Sequence, residues 1–139
     1  MKNQAGYTLL ELMITVAILT ILMAQASAFL KGYQARARVA EGLLLATPIK
    51  QGVFDYYATE GSFPVDNRAA GAADPRDYLT DGVEEITVSG DTIAITYAIT
   101  VNSAPNNTLN IKANPSGNRL LWTCNTGSLP SHMRPSNCR

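Results

Sequence analysis

The chain has 139 residues, enough for one domain with a modest core. Its 11 basic side chains balance 11 acidic ones, so no overall charge points to a nucleic acid or to a strongly charged partner. The apolar residues are unevenly spread, because residues 7–30 form a dense apolar block and the rest has the composition of an ordinary soluble domain.

The apolar block is long enough to cross a membrane as a helix. No charged side chain lies between Leu12 and Leu30, and this stretch spans roughly 28 Å at a helical rise, close to the hydrocarbon thickness of a bilayer. A secretory signal peptide is the alternative, although the run is long for one and no small-residue cleavage site closes it cleanly. A buried core helix is disfavoured because a small domain has too little protein to cover it on all sides.

Glu11 is the one charge near the start of this block. A carboxylate at membrane depth costs on the order of 2.5–3.5 kcal/mol by insertion scales. Two interpretations are open. In the first, the side chain reaches the lipid headgroups from the end of the helix. In the second, the carboxylate lies near the positive end of the helix macrodipole and pairs with a cation.

The residues before the block carry a resemblance. Gly6 is followed by Tyr-Thr-Leu-Leu-Glu-Leu-Met, which closely resembles the class III signal of type IV prepilins. The resemblance implies that residues 1–6 are a leader, that a prepilin peptidase cuts between Gly6 and Tyr7, and that Tyr7 is then N-methylated, although Phe is the usual residue there. It also implies that Glu11 acts in assembly, pairing with the free amine of Tyr7 in the neighbouring subunit.

The helical pattern continues beyond the block. A stripe at three- and four-residue steps predicts an amphipathic helix that packs on a sheet; it comprises Val39, Leu43, Ala46, Ile49, Val53, Phe54 and Tyr57. We expect one element from about Tyr7 to Thr59, with a modest kink at Pro48 and a glycine stop at Gly61.

The membrane half departs from the resembling family in one respect. Those pilins usually carry Gly and Pro there and unwind between them in the filament, whereas this chain has Thr20 and Ala28. We therefore predict a helix that stays continuous between these positions in the filament. Two interpretations of Gln25 and Ser27 in this stretch are open: their side chains form hydrogen bonds across packed helices, or they form them with the backbone of their own helix.

After the helix, turn signals and then alternating strands follow. Residues 60–83 read as a long surface loop between helix and sheet. Strands are predicted at 85–89, at 92–101, around Leu109 and Ile111, and at 119–124, which gives an antiparallel meander and an α+β fold. Asn106-Asn107-Thr108 is a weak match to a glycosylation acceptor.

Two cysteines end the chain, Cys124 and Cys138. In an exported domain a disulfide is the default interpretation, and the match of Pro135-Ser-Asn-Cys138 to the terminal loop of type IVa pilins strengthens it. With His132 as the single histidine, the zinc ligand set is incomplete, and we predict no metal site and no cofactor. His132, Arg134 and Arg139 give the loop a slight basic character, so DNA is a conceivable partner, although a solvated loop is favoured.

The prediction is therefore a type IVa major pilin, not an enzyme. It comprises leader 1–6, transmembrane and polymerisation helix 7–30, and globular domain 31–139, divided into helix 31–59, loop 60–83, sheet 84–124 and disulfide loop 124–138. The resemblance implies a homopolymeric extracellular filament for adhesion, twitching motility or DNA uptake. It also implies an inner-membrane precursor, a prepilin peptidase and an assembly platform as partners.

Three alternatives remain open: a minor pilin, a pseudopilin of type II secretion, and a membrane-anchored binding domain that never polymerises. The loop between the two cysteines favours a pilin over a pseudopilin. Two arguments about membrane orientation disagree. Counting the charges of Lys31, Arg36 and Arg38 would place the carboxyl-terminal side in the cytoplasm. The resemblance and the two cysteines place that side outside, and we follow them.

Overall fold

The computed structural model describes residues 8–99 and 107–139, apart from the side chains of residues 27–31. The chain divides into two units, Met1–Gln34 and Ala35–Arg139. Helix α1 spans Leu9–Glu60 and contributes residues to both. The four strands are β1, Val83–Ser89; β2, Thr92–Tyr97; β3, Asn107–Ser116; and β4, Arg119–Thr126.

The amino-terminal unit contributes an apolar helical segment. Residues Leu9–Ala26 are apolar and long enough to cross a membrane, and their side chains are exposed in the isolated chain. The hydroxyls of Thr15 and Thr20 donate to the carbonyls of Leu12 and Ala17 at 2.9 and 2.8 Å. These threonines therefore keep their polar groups satisfied within the helix, as an apolar surrounding requires.

In the second unit, α1 packs on one face of an antiparallel sheet with strand order β1-β2-β3-β4. The predicted helical stripe is confirmed, since Val39, Ala46, Ile49 and Val53 are buried and its other members pack partly against the core. The sheet contributes alternate residues to the same core, namely Ile86, Val88, Ile93, Ile95, Tyr97, Leu109, Ile111, Ala113 and Leu120. The predicted α+β class with a long helix and a four-stranded meander is confirmed.

The end of α1 follows the predicted glycine signal. Gly61 has a φ of 67°, and its N–H donates to the carbonyl of Tyr57 at 3.0 Å. Glycine reaches this left-handed conformation without the cost that a Cβ would add. Pro48 lies inside α1, and the kink expected there stays a prediction.

One strand prediction was too long. The stretch 92–101 was predicted as a single strand, but β2 ends at Tyr97, and Val101 lies outside the described residues. Both neighbouring antiparallel strands begin opposite Tyr97, which is paired with Val83, the first residue of β1, and with Asn107, the first residue of β3. Beyond Tyr97, β2 therefore has no partner strand on either side. Alternating side chains predict a face but not where the partner strands end.

The loop between α1 and β1 is attached to the edge of the sheet by a buried asparagine. Asn67 donates through Nδ2 to the carbonyls of Ala73 and Ile86, at 2.9 and 2.8 Å. Its Oδ1 accepts the backbone N–H of Val88 at 2.7 Å. Because Ile86 and Val88 belong to the edge strand β1, the Asn67 amide satisfies backbone groups that a further strand would otherwise pair.

Candidate assembly site

The first turn of α1 is organised by Thr8 and Glu11. The Thr8 hydroxyl accepts the backbone N–H of Glu11 at 3.3 Å, and the Thr8 carbonyl accepts the N–H groups of Glu11 and Leu12 at 3.1 and 3.2 Å. Thr8 is thus the N-cap residue, and the Thr-x-x-Glu spacing is that of a capping box. Sequence reasoning missed this role of Thr8, although the spacing was a usable signal.

Glu11 is the single charged side chain in the apolar segment Leu9–Ala26. It lies in the first turn of α1, where the unpaired N–H groups and the helix dipole favour a negative charge. Its side chain is exposed among exposed apolar residues, such as Leu10, of which 69% is accessible. Buried in lipid or among packed helices, such a carboxylate needs a cationic partner.

Two of the predicted site residues, Gly6 and Tyr7, lie outside the described residues. Cleavage between them, methylation of Tyr7 and pairing of Glu11 with a neighbouring Tyr7 therefore stay predictions. The acceptor residue of the glycosylation match, Asn106, also lies outside the described part of the chain.

The backbone between Thr20 and Ala28 is helical throughout in the single chain. Its continuity in an assembled filament, where the resembling pilins unwind, stays a prediction. The bond of the Thr20 hydroxyl to Ala17 lies within the helix.

At the other end of the chain, a disulfide joins Cys124 in β4 to Cys138, as predicted. The enclosed segment is less solvated than expected, because Leu129 is fully buried and Cys138 nearly so. The segment also continues along β3: the N–H of Leu129 donates to the carbonyl of Thr108 at 2.8 Å, and the Ser128 hydroxyl accepts the N–H of Thr108 at 2.8 Å.

Arg134 gives this loop its shape. Its guanidinium donates to three backbone carbonyls of the same loop, those of Asn125, Gly127 and Leu129, the last at 2.7 Å. The carbonyl of Arg134 in turn accepts Nε of Arg139 at 3.0 Å. Sequence reasoning treated Arg134 only as a surface charge, because nothing in a sequence shows three carbonyls converging on one point.

Comparisons with known proteins agree with the resemblance to type IV pilins that the sequence motifs indicated. A family model described as pilin, a bacterial filament protein, matches residues 35–139, and a model of the prokaryotic N-terminal methylation motif matches residues 1–24. The second match covers the predicted leader, Tyr7 and Glu11. The first covers the whole second unit of the fold.

Curated relatives match over most of the chain. A fimbrial protein of Neisseria meningitidis serogroup A is 35% identical over 123 residues, which cover 87% of this chain and 72% of the relative. A type IV major pilin of Neisseria gonorrhoeae is 36% identical, over 87% of this chain and 75% of its own. The fimbrial protein EcpC of Eikenella corrodens is 33% identical, over 98% and 91%. With both family models matching and the predicted fold in place, the chain belongs to the type IV pilin family.

Proposed function

We propose that this chain is the major structural subunit of a type IV pilus. It is made as a membrane-anchored precursor, loses residues 1–6, and polymerises through α1 into a filament on the cell surface. One observation carries the proposal: an apolar segment, Leu9–Ala26, is exposed on the single chain and bears one acid in its capped first turn. Such a segment is stable in a bilayer before assembly and against copies of itself afterwards.

The acid sets the register of assembly. Cutting the bond between Gly6 and Tyr7 creates a free amine on Tyr7, and this amine is the cation that pairs with Glu11 of a neighbouring copy. Two opposite charges in a low dielectric attract strongly, which partly offsets the cost of removing both from water. A copy docked at another axial offset would leave both charges unpaired, so one offset is favoured. The Thr8 cap supports the pairing by fixing where α1 begins.

Processing, location and partners follow from the same proposal. The match to the N-terminal methylation motif supports processing by a prepilin peptidase and methylation of Tyr7. The inner membrane is the place of the precursor, and an assembly platform there adds each subunit to the growing filament. Several relatives are named as fimbrial proteins or major pilins, which supports a structural role in a filament rather than an enzymatic one. Adhesion, twitching motility and DNA uptake are the three roles that we propose for such a filament.

The test is electron microscopy of sheared surface material combined with intact-mass measurement. We expect filaments whose subunit lacks residues 1–6 and is one methyl group heavier at Tyr7. A chain found only as single membrane-anchored copies, or filaments that retain the leader, would overturn the proposal.

The Glu11→Ala variant tests the pairing itself. We expect it to be cleaved and to enter the membrane, but to give at least about tenfold fewer filaments, since breaking a buried pair costs several kcal/mol. Thr15→Val is the matched control, because the Thr15 hydroxyl bonds only its own helix. Filament yield is measured by immunoblot of the sheared fraction, and a normal yield from Glu11→Ala would refute the pairing.

A further inference from the structure

One side of α1 in the second unit meets β4 through aromatic and cationic side chains. Lys50, Phe54 and Tyr57 follow one another at steps of four and three residues, so they share one face of the helix. The ammonium nitrogen Nζ of Lys50 lies 5.8 Å from the ring centroid of Trp122 in β4, which is a cation–π contact. With Arg119, at the start of the same strand, these residues form what we call the α1–β4 seam.

A pocket with a volume of about 200 Å³ opens at the Arg119 end of the seam. It is lined by Phe54, Tyr57, Ala58, Gly117, Asn118 and Arg119. Pockets for drug-sized ligands measure roughly 300–1,000 Å³, so this one has room for a single small ring and its substituents. Two aromatic side chains and one guanidinium give it the usual composition of a ligand site, which is apolar walls with few polar groups.

Neither cation of the seam is neutralised within the part of the chain that the structure describes. The ion pair found there joins Lys112 to Asp91 and involves neither Lys50 nor Arg119. The Arg119 guanidinium also donates no hydrogen bond there, so it does not cap the carbonyls at the end of α1. Loss of water around Lys50 lowers its pKa, and a bound anion would oppose that shift.

Among the described residues, no carboxylate lines the pocket. No Asp or Glu follows Asp91 in the chain, so β4 and the turn before it bring none. On α1, Asp55 is turned about 100° away from its neighbour Phe54 and accepts the side-chain amide of Gln51 at 2.8 Å. Glu60 is exposed at the end of the helix and does not line the pocket. The pocket therefore presents a positive charge to a ligand.

We propose that the α1–β4 seam binds a carboxylated sugar, a uronic or sialic acid at the end of a glycan. The Arg119 fork matches a carboxylate with two parallel hydrogen bonds, and the Phe54 and Tyr57 rings offer apolar faces to the C–H groups of the sugar. Lys50 lies over Trp122, which is three residues or about 10 Å along β4 from Arg119, beside the next sugar of the same glycan.

A nucleic acid is the weaker candidate for this seam. Its affinity comes from many phosphate contacts, and the seam supplies two cations. The proposal rests on the function proposed above, because it names a ligand for an adhesive filament. One weak site per copy is enough there, since a filament presents many copies to a surface that carries many glycans.

Binding is measured on the mature chain in detergent, so that it does not depend on filament formation. The probes are sialyllactose and a hyaluronan tetrasaccharide, which carry the two kinds of sugar carboxylate, and lactose is the neutral control. We expect NMR saturation transfer from the protein to the C–H groups of at least one acidic probe, and at least about tenfold weaker binding of lactose. Trp122 is the only tryptophan of the chain, so its fluorescence should report the same titration.

Substitutions test which groups hold the carboxylate. Arg119→Ala should weaken binding of the acidic probe by about tenfold or more, through loss of charge-assisted hydrogen bonds. Arg119→Lys keeps the charge but loses the fork, and Lys50→Met keeps the length of the side chain but loses the charge; each should weaken binding by about threefold. Arg76→Ala is the matched control, because it removes an exposed cation from a turn that packs against β1, and its affinity should equal that of the parent.

Several results would overturn the inference. Equal binding of lactose and the acidic probes, no binding of either acidic probe, or unchanged affinity in Arg119→Ala would show that the seam is not a carboxylate site. Tighter binding of a short single-stranded DNA, weakened by the same substitutions, would assign the seam to nucleic acid instead. Normal filaments from a chain that binds no acidic sugar would leave the proposed function intact, whereas binding by a chain that never forms filaments would overturn that function alone.

Discussion

The contact between Gly42 and Tyr97 shows how one side chain fixes the distance between helix and sheet. The Tyr97 ring is fully buried under α1, and its hydroxyl donates to the carbonyl of Val39 at 2.9 Å. A Cβ on Gly42 would lie 2.6 Å from Cε1 of that ring. Glycine at position 42 therefore lets a large aromatic side chain fit beneath the helix, which gives a physical reason for a residue that is otherwise poor in a helix.

Substituting two of the three glycines of α1, those at positions 32 and 42, separates packing from helix propensity. Gly42→Ala should lower the free energy of unfolding by roughly 1–3 kcal/mol, because the added methyl group forces the buried ring to move. Gly32→Ala is the matched control: nothing lies within 4 Å of its added Cβ, so it should be neutral or stabilising by up to about 1 kcal/mol. Urea unfolding of a soluble fragment starting near Ala28 measures both, and equal effects would contradict the packing argument.

The buried hydroxyl also makes stability depend on alkaline pH. Burial raises the pKa of Tyr97 far above its ordinary value, whereas in the unfolded chain a tyrosine ionises near pH 10. Above that pH the folded state binds more protons than the unfolded state, so the free energy of unfolding falls as pH rises. The stabilisation by the buried Tyr97 hydroxyl is complete below about pH 10 and is lost progressively above that pH.

The Tyr97→Phe variant removes this contribution. We expect it to be less stable than the parent by about 1 kcal/mol at neutral pH, through loss of one buried hydrogen bond. Its stability should also decline less steeply between about pH 9 and pH 11, since the titrating hydroxyl is absent. Denaturant unfolding at a series of pH values checks this, and parallel curves for parent and variant would refute it.

Among the elements, the loop between α1 and β1 is attached to the sheet through the side chain of Asn67. All three of its amide hydrogen bonds reach backbone groups, and two of those groups lie on β1. The loop therefore acts as part of the sheet edge. Neither composition nor turn propensity distinguishes Asn67 from the other polar residues in this region, so the sequence predicted a surface loop but not its attachment.

Removing that side chain should loosen the loop between α1 and β1. Asn67→Ala leaves buried backbone groups of Ile86 and Val88 without partners, and we expect a loss of about 2–3 kcal/mol in the free energy of unfolding. Asn125→Ala, at an exposed asparagine, is the control and should change stability by less than about 0.5 kcal/mol. Hydrogen exchange should rise across residues 64–90 in the first variant alone; unchanged exchange there would show that the loop is held by other contacts.

Periodicity predicted elements better than it predicted their limits. The helical stripe and the alternation of Ile93, Ile95 and Tyr97 each indicate which face is buried, and those faces form the core. The end of β2 depends on where β1 and β3 begin, which is a property of the pairing and not of β2 alone. At the candidate site, motif spacing indicated Gly6, Tyr7 and Glu11, whereas the role of Arg134 depends on carbonyls brought together by the fold.

At the scale of the whole molecule, the two units have different solubility requirements. The apolar segment Leu9–Ala26 has no covered face in the single chain, whereas residues 35–139 enclose their own core. A fragment starting near Ala28 should therefore be soluble and monomeric. Exposed charge pairs between two free copies are worth too little to hold them together without the apolar segment Leu9–Ala26.

Sedimentation equilibrium measures the oligomeric state of that fragment and so tests the prediction. We expect a monomer at concentrations up to about 100 µM, because exposed ion pairs contribute at most about 1 kcal/mol each. The full mature chain in detergent serves as the comparison and should associate as detergent is removed. A stable dimer of the fragment at physiological salt would show that the globular part carries an assembly interface of its own.

The three hydrogen bonds of the Arg134 guanidinium affect how the terminal loop can change over evolutionary time. Every acceptor of its guanidinium is a main-chain carbonyl, and such a carbonyl is present whatever residue occupies the position. Together with the disulfide, the arginine therefore fixes the path of the loop without specifying its outward-facing side chains. Mutations at those exposed positions can alter what the loop displays to its surroundings while the scaffold beneath stays the same, so new surfaces can arise here without a new fold.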